Sequence, residues 1–324
     1  MAAKAMSYDD DFLSRLRDKH RPTIARAISV LERGSDGATA LVDALCGTLG
    51  NAWRIGITGP PGAGKSTLTG ALARQLSSEG AHVAILAIDP SSPFTAGAVL
   101  GDRVRMVDLE TDERIYIRSM ASRGVTGGVS AATREAADVL DAAGFDFVLI
   151  ESVGVGQAEL EVRYLVDTTT VVLVPESGDQ VQAIKAGLME IAEIYVLNKA
   201  DRPDAGTALN RINSALHYQH REDDAWRPAV LSTIASESEG VAELAQEIAR
   251  HRAHLAEDGR LAARRRHKTA ALLRAEVEER LRAGLWQSDA GARLEQAIDQ
   301  VLDGRVSLRG AAAAVLEGAA EPGS

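Results

Sequence analysis

Residues 59–67 read GPPGAGKST, and no other stretch of the chain narrows its fold so far. Gly59, Gly64, Lys65 and Ser66 stand at the spacing G-x-x-x-x-G-K-[ST], with Pro60, Pro61, Gly62 and Ala63 between them and Thr67 after. Such a run works only where a strand delivers it and a helix N-terminus receives it. Both are expected here. "WRIGIT" (53–58) is an apolar strand pattern, and a helical pattern opens near Lys65. In that setting glycines let backbone N–H groups turn inward around phosphate oxygens. The helix adds the positive end of its dipole. Lys65 then supplies a charge between the β- and γ-phosphates, and Ser66 a hydroxyl ligand for Mg²⁺. The spacing predicts an α/β protein that binds a nucleoside triphosphate.

The rest of the chain supplies the sheet. Apolar runs at 82–88, 114–119, 145–150, 169–175, 193–198 and 228–233 alternate with helical periodicity. Several are continuous, as in parallel strands covered on both faces. The alternation predicts a doubly wound, mostly parallel sheet. Residues 9–50 carry helical stripes, with Phe12, Leu13 and Leu16 on one and Ile24, Ile28 and Leu31 on the next. After about residue 240 only helical patterns remain.

Strand ends carry the chemistry. "VLNKAD" places Asn198, Lys199 and Asp201 in the pattern N-K-x-D. A carboxylate at Asp201 accepts both N1–H and N2–H₂ of guanine. Adenine has no such donor pair and would leave the acid unpaired, at roughly 1–3 kcal/mol. The expected ligand is therefore GTP or GDP. "LSTIAS" (231–236) takes the place of a further base-contacting loop, with Ser232, Thr233 and Ile234 as candidates. On the metal side stand Asp89 at the end of "HVAILAID", Asp102 in the glycine-containing loop after it, and Glu151 at the end of "FDFVLIE". Strand C-termini of a parallel sheet gather at the edge where ligands sit, so Asp89 and Glu151 are expected beside the phosphate loop. Mg²⁺ takes water with one or two carboxylates beside phosphate oxygens. Which of the three acids bind it directly stays open. Acids are rarely buried unless engaged, so Glu151, after four apolar residues, has the strongest claim to a role. Glycines in "SRGVTGGVS" (122–130) and "ESVGVGQ" (151–157) give two loops the freedom to switch with the γ-phosphate. Gln157 is a candidate to orient water, and Arg103, Arg105, Arg118 and Arg123 to stabilise developing charge.

Composition excludes other classes. The chain has 324 residues, 45% apolar and 25% charged, as in an ordinary globular protein. A net charge of −10 gives nucleic-acid binding no overall electrostatic support. The single cysteine, Cys46, excludes an intrachain disulfide and a Cys-based metal site, and reads as a helix-packing residue. His217 with His220, and His251 with His254, have helical spacing without a third ligand and read as exposed helix surface. The acidic, charge-interrupted N-terminus is unlike a signal peptide. No apolar run reaches the roughly 18 residues of a membrane span. A cytoplasmic protein without a membrane segment is expected.

Together, "GPPGAGKSTL", "AIDPSSPFTAGAVLGDRVRM", "SRGVTGGVS", "ESVGVGQAELEV" and "VLNKAD" resemble the MeaB/ArgK type of P-loop GTPase. These are the methylmalonyl-CoA mutase-associated GTPases, similar to the human protein defective in methylmalonic aciduria type A. The resemblance spans about residues 10–318 and rests most on the "DPSSP…GD" and "ESVGVGQ" segments. It implies a G domain of the signal-recognition-particle-like class over 51–255. An N-terminal helical extension over 1–50 and a C-terminal helical dimerisation extension over 256–324 would flank it. It implies a homodimer that hydrolyses GTP slowly alone and faster with its partner. That partner would be methylmalonyl-CoA mutase or a related mutase, whose adenosylcobalamin loading the GTPase would gate or protect. Motif by motif, Lys65 and Ser66 take the phosphate and Mg²⁺ roles. Asp89, Asp102 and Glu151 take the metal and switch roles, and Asn198, Lys199 and Asp201 the guanine roles. Two other readings compete: a metallochaperone GTPase for nickel insertion, and a transport-associated P-loop kinase. The single Cys and scattered His count against the first, and "NKAD" disfavours ATP in the second.

Overall fold

Seven strands line up in parallel as one sheet: β1 (Trp53–Thr58), β2 (Val83–Pro90), β3 (Ile115–Ser122), β4 (Phe147–Glu151), β5 (Thr168–Leu173), β6 (Ile194–Asn198) and β7 (Ala229–Thr233). Their order is β3-β2-β4-β1-β5-β6-β7, and every neighbouring pair is parallel. The structure, a computed structural model, describes residues 8–34, 37–90, 109, 111–122, 131–152, 158–175, 189–217, 225–287 and 290–320. Strand β1, which leads into the phosphate loop, lies mid-sheet between β4 and β5. As the continuous apolar runs predict, β5 and β6 are buried along their whole length.

Helices cover both faces. On one, α4 (Lys65–Ser78) sets Leu68 and Leu72 against Ile55, Ile57 and Leu149 of β1 and β4. On the other, α7 (Ala205–His217) packs Ile212 against Val171, Tyr195 and Leu197. Between them in sequence come α5 (Ala131–Ala142) and α6 (Ala158–Leu165). A later helix, α8 (Val241–Ala256), lies against α4 and joins its core cluster through Leu244 and Ile248. The leading helices α1 (Asp10–Arg17), α2 (Arg21–Arg33) and α3 (Gly37–Leu45) attach at the β3 side. There Arg21 Nη2 donates to the carbonyls of Asp112 and Ile115, at 3.0 and 2.9 Å. Arg118 of β3 donates to Ser29 Oγ at 3.0 Å and pairs with Glu32 of α2. Cys46, read as helix packing, is exposed in the turn after α3. The buried stripe of that helix is Leu41 and Leu45, and Cys46 falls one step off it.

One reading of a surface residue changes. His251, expected on an exposed helix face, is fully buried. Its Nδ1 lies 2.9 Å from Thr168 Oγ1, which also accepts Trp53 Nε1 at 2.9 Å. It shares one apolar stripe of α8 with Leu244, Ile248 and Leu255, so that face turns it inward. Asp141 of α5, 2% exposed, organises the entry to β1. Its carboxylate accepts the backbone N–H groups of Gly50, Asn51 and Ala52 at 2.8, 3.0 and 2.9 Å, and Arg54 Nη2 at 3.0 Å. Arg54 also donates to Asp138 at 2.8 Å. Burial alone would lower the Arg54 pKa, but the two carboxylates more than offset that and raise it.

The chain divides into two units, Met1–Ala262 and Ala263–Ser324. The second holds most of α9 (Arg260–Gln287), then α10 (Ala290–Leu302) and α11 (Leu308–Ala320). In it α10 packs on α11 around a groove of about 460 Å³, lined by apolar side chains including Trp286, Leu294 and Ile298. Among the described residues, no helix is long and apolar enough to cross a membrane.

Asp141→Ala leaves three N–H groups without their carboxylate and a largely buried guanidinium with Asp138 alone. A loss of about 3 kcal/mol is expected, read as a lowered urea midpoint. At the far end of α4, the Ser77 hydroxyl (2.6 Å) and then the Arg114 N–H (2.9 Å) hold the Asp112 carboxyl below its ordinary pKa. A depressed folded pKa contributes stability above the unfolded value, and that contribution is lost as pH falls through the folded one. Ser77→Ala should return the Asp112 titration toward the ordinary carboxylate value, as followed by NMR.

Candidate functional site

The phosphate loop leaves β1 at Gly59, whose φ is 138°. A Cβ there would collide with the carbonyl oxygen of Val172 on β5, so only glycine lets the loop turn this close to the sheet. Gly64, at φ 86°, caps α4, and a Cβ on it would run into Asn198 Nδ2. Both turns are fixed by their neighbours in space as well as by sequence. Lys65 is 7% exposed, and its ammonium donates to the carbonyls of Gly59 (2.9 Å) and Pro60 (3.1 Å). The charge therefore lies inside the curve of the loop. Ala63 is buried beneath it, while Pro61, Gly62 and Thr67 are exposed.

The "NKAD" segment closes the loop from the side of β6. Asn198, 2% exposed, donates from Nδ2 to the Ala63 carbonyl at 2.9 Å. Its Oδ1 accepts Thr233 Oγ1 at 3.0 Å and the Ala235 N–H at 3.1 Å. Lys199, in the left-handed region at φ 58°, donates from Nζ to the Gly62 carbonyl at 2.8 Å. The Ala200 N–H reaches the Thr233 carbonyl at 3.1 Å. One buried amide thus holds three segments: the phosphate loop, the end of β6 and the loop after β7. Of the candidates in that last loop, Thr233 bonds Asn198, Ile234 closes a bridge with Glu239, and Ser232 is exposed. Ala235 was not a candidate, because what it gives is a backbone N–H. Asp201 is exposed in the turn beyond β6.

On the other side Glu151 ends β4, 4% exposed. Its Cα partners are Ile57 on β1 and Ala87 on β2. Ser66 Oγ donates to Glu151 Oε1 at 2.6 Å. The sheet therefore brings the first hydroxyl of α4 and the acid of β4 together, as the topology rule predicts. Asp89 follows Ala87 by two residues on β2, at the same edge of the sheet. Its side chain, Asp102, Gln157, Arg103, Arg105 and Arg123 lie outside the described residues. Arg118 is committed to Ser29 and Glu32, away from this edge.

The model of the family described as methylmalonyl-CoA mutase-associated GTPase MeaB matches residues 24–290. The chain belongs to the MeaB family. It is thus a P-loop GTPase and binds guanine nucleotide. A putative GTPase of Pyrococcus abyssi is 45% identical over 261 residues, 80% of this chain and 81% of its own length. The GTPase ArgK of Escherichia coli is 41% identical over 274 residues, 82% and 83% of the two chains. A mouse mitochondrial protein, the methylmalonic aciduria type A homolog, is 39% identical over 217 residues, 66% of this chain and 52% of its own. Among solved structures, a LAO/AO transport system kinase matches at a TM-score of 0.76 with 33% identity, over 95% of this chain and 96% of its own. The parallel P-loop fold with helical extensions is therefore shared with that LAO/AO transport system kinase.

Asn198→Ala removes the amide that ties the phosphate loop to both base-side segments. GDP affinity should weaken at least about tenfold, or about 1.4 kcal/mol, by isothermal titration.

Proposed function

We propose that this MeaB-family chain uses GTP hydrolysis to act as a chaperone for a cobalamin-dependent acyl-CoA mutase, with methylmalonyl-CoA mutase the first candidate. It would gate or protect the loading of adenosylcobalamin. The observation that carries this reading is the family match over residues 24–290, because that family is described as mutase-associated. The name of the mouse relative points the same way.

The site suits the chemistry in the following way. Asp201 accepts the guanine N–H groups, and Asn198 and Lys199 keep its strand end in register with the phosphate loop. Lys65 and the loop N–H groups stabilise charge as the bond from the γ-phosphorus to the β–γ bridging oxygen breaks and water adds to phosphorus. The donor set on the metal side fits Mg²⁺: Ser66 and Glu151 offer hard oxygens, already within 2.6 Å of one another at the mouth of the loop. Asp89 and Asp102 are the further acids assigned to that side. When bound, Mg²⁺ would neutralise charge on the β- and γ-phosphate oxygens. Glu151 would hold Ser66 and, through it, the first turn of α4.

The division we propose is an N-terminal helical extension over 1–50, a GTPase domain over 51–255 and a C-terminal dimerisation extension over 256–324. The apolar groove of the second unit, with Leu302 and Leu308 among its exposed lining, supports a homodimer formed through that extension. A cytoplasmic location completes the proposal.

Two measurements test it. Titrating purified methylmalonyl-CoA mutase into the GTPase should raise the GTP turnover rate, and an unchanged rate at saturating mutase would sink the partnership. Glu151→Gln should keep GDP affinity and lose about 10²-fold in hydrolysis rate, whereas normal hydrolysis alone and with the mutase would make Glu151 merely structural.

A further inference from the structure

Two consecutive residues hold the two ends of the phosphate loop. Glu151 accepts Ser66 Oγ at 2.6 Å, just after Lys65. Ser152, the next residue, donates from Oγ to Thr58 Oγ1 at 2.8 Å, just before Gly59. Successive residues along a strand face opposite sides of a sheet. Glu151 follows Leu149 and, like its partner Ile57, faces α4. Ser152 and Thr58 face the other side. The pair of contacts therefore straddles the sheet, one on each face, with the loop between their far ends.

Both hydroxyls of the second contact are buried, Ser152 at 2% and Thr58 at 0% exposure. Ser152 also donates its N–H to the Ile57 carbonyl at 3.0 Å, the bond that closes the last β1–β4 rung at Ile57 and Glu151. So the backbone on the far side of Glu151 is pinned twice, by a ladder bond and by a side-chain bond. A carboxylate on a flexible side chain meets a hydroxyl reproducibly only if its own backbone is fixed.

We propose that Ser152 is a positioning residue for GTP hydrolysis. Through its bond to Thr58 it fixes the height at which Glu151 meets Ser66, and so where the metal-side oxygens stand relative to the phosphate loop. It need not touch nucleotide or metal. The inference rests on the role proposed above for Glu151, and it adds a residue and a contact that the motifs do not single out.

The test compares Ser152→Ala, Thr58→Val, Thr58→Ser, the Ser152→Ala/Thr58→Val double variant and Glu151→Gln in the full chain. Ser152→Ala and Thr58→Val should each lower kcat roughly tenfold through misplacement, yet leave GDP affinity measured without Mg²⁺ within about twofold. Both should raise the Mg²⁺ concentration needed for half-maximal hydrolysis. The double variant should be no slower than the slower single, as for two halves of one contact. Thr58→Ser keeps the hydroxyl and should behave as the parent protein. Thermal melting of each variant separates positioning from loss of fold, since slow turnover that recovers once unfolded protein is allowed for overturns the proposal. So does an unchanged kcat in Ser152→Ala, a Thr58→Ser variant as slow as Thr58→Val, or losses that multiply in the double variant. Unchanged kcat in Ser152→Ala beside an inactive Glu151→Gln would sink this inference alone. Full activity in Glu151→Gln would instead remove the role of Glu151 on which it rests.

Discussion

A phosphate loop has no core of its own. Six residues between β1 and α4, three of them glycine, must hold their carbonyls and N–H groups in one arrangement. What fixes them is the placement of β1 between β4 and β5, with neighbours on both sides to grip whatever leaves its end. Gly59 turns against β5, where the Val172 carbonyl leaves no room for a side chain. Ser66 is met from β4 by Glu151, and Gly64 and Ala63 are met from beyond β5 by Asn198. The loop is shaped from outside, and the order of the strands decides which residues do the shaping.

The two sides of the site are built differently. On the base side a single buried amide satisfies both its oxygen and its nitrogen, and every bond it makes is to another segment of the chain. Such a network is stiff, because breaking one bond leaves a buried polar group at about 1–3 kcal/mol. On the metal side the contact is between one hydroxyl and one carboxylate, supported by the strand ladder behind it. In the proposed Mg²⁺ site, that hydroxyl and that carboxylate would turn toward the ion. A stiff network on the proposed base side beside a single hydroxyl–carboxylate bond on the proposed metal side would suit an enzyme that must hold guanine steadily and respond to a γ-phosphate.

Much of this was legible in the sequence, for particular reasons. The continuous apolar runs located the strands, because a strand buried on both faces has no polar positions to hide. "GPPGAGKST" and "NKAD" were legible because their chemistry requires particular side chains. Glu151 stood out because an acid ending an apolar strand has few structural excuses. Residues whose role depends on spatial neighbours were harder to read. His251 shares a stripe with Leu244, Ile248 and Leu255, a periodicity that its polar residue type masks in the sequence. Ala235 contributes only a backbone N–H, which no side chain advertises. Asp141 orders the approach to β1 through three backbone groups far away in sequence, a role that no local pattern marks.

The choice of Glu over Asp at position 151 follows from the same register. The last rung between β4 and β1 pairs Glu151 with Ile57, one residue short of Thr58, so the strand stops just below the level of the loop. A shorter acid there would have one methylene less of reach toward the Ser66 hydroxyl. The extra methylene supplies the reach, but it adds a rotatable bond whose freedom must be lost when the carboxylate is placed. A longer acid therefore needs a firmer base than a shorter one. The residue immediately after it provides that base: the Ser152 N–H closes the last rung, and the Ser152 hydroxyl bonds Thr58 on the opposite face. Length at position 151 and anchorage at position 152 are two parts of one solution to a strand that ends a little short.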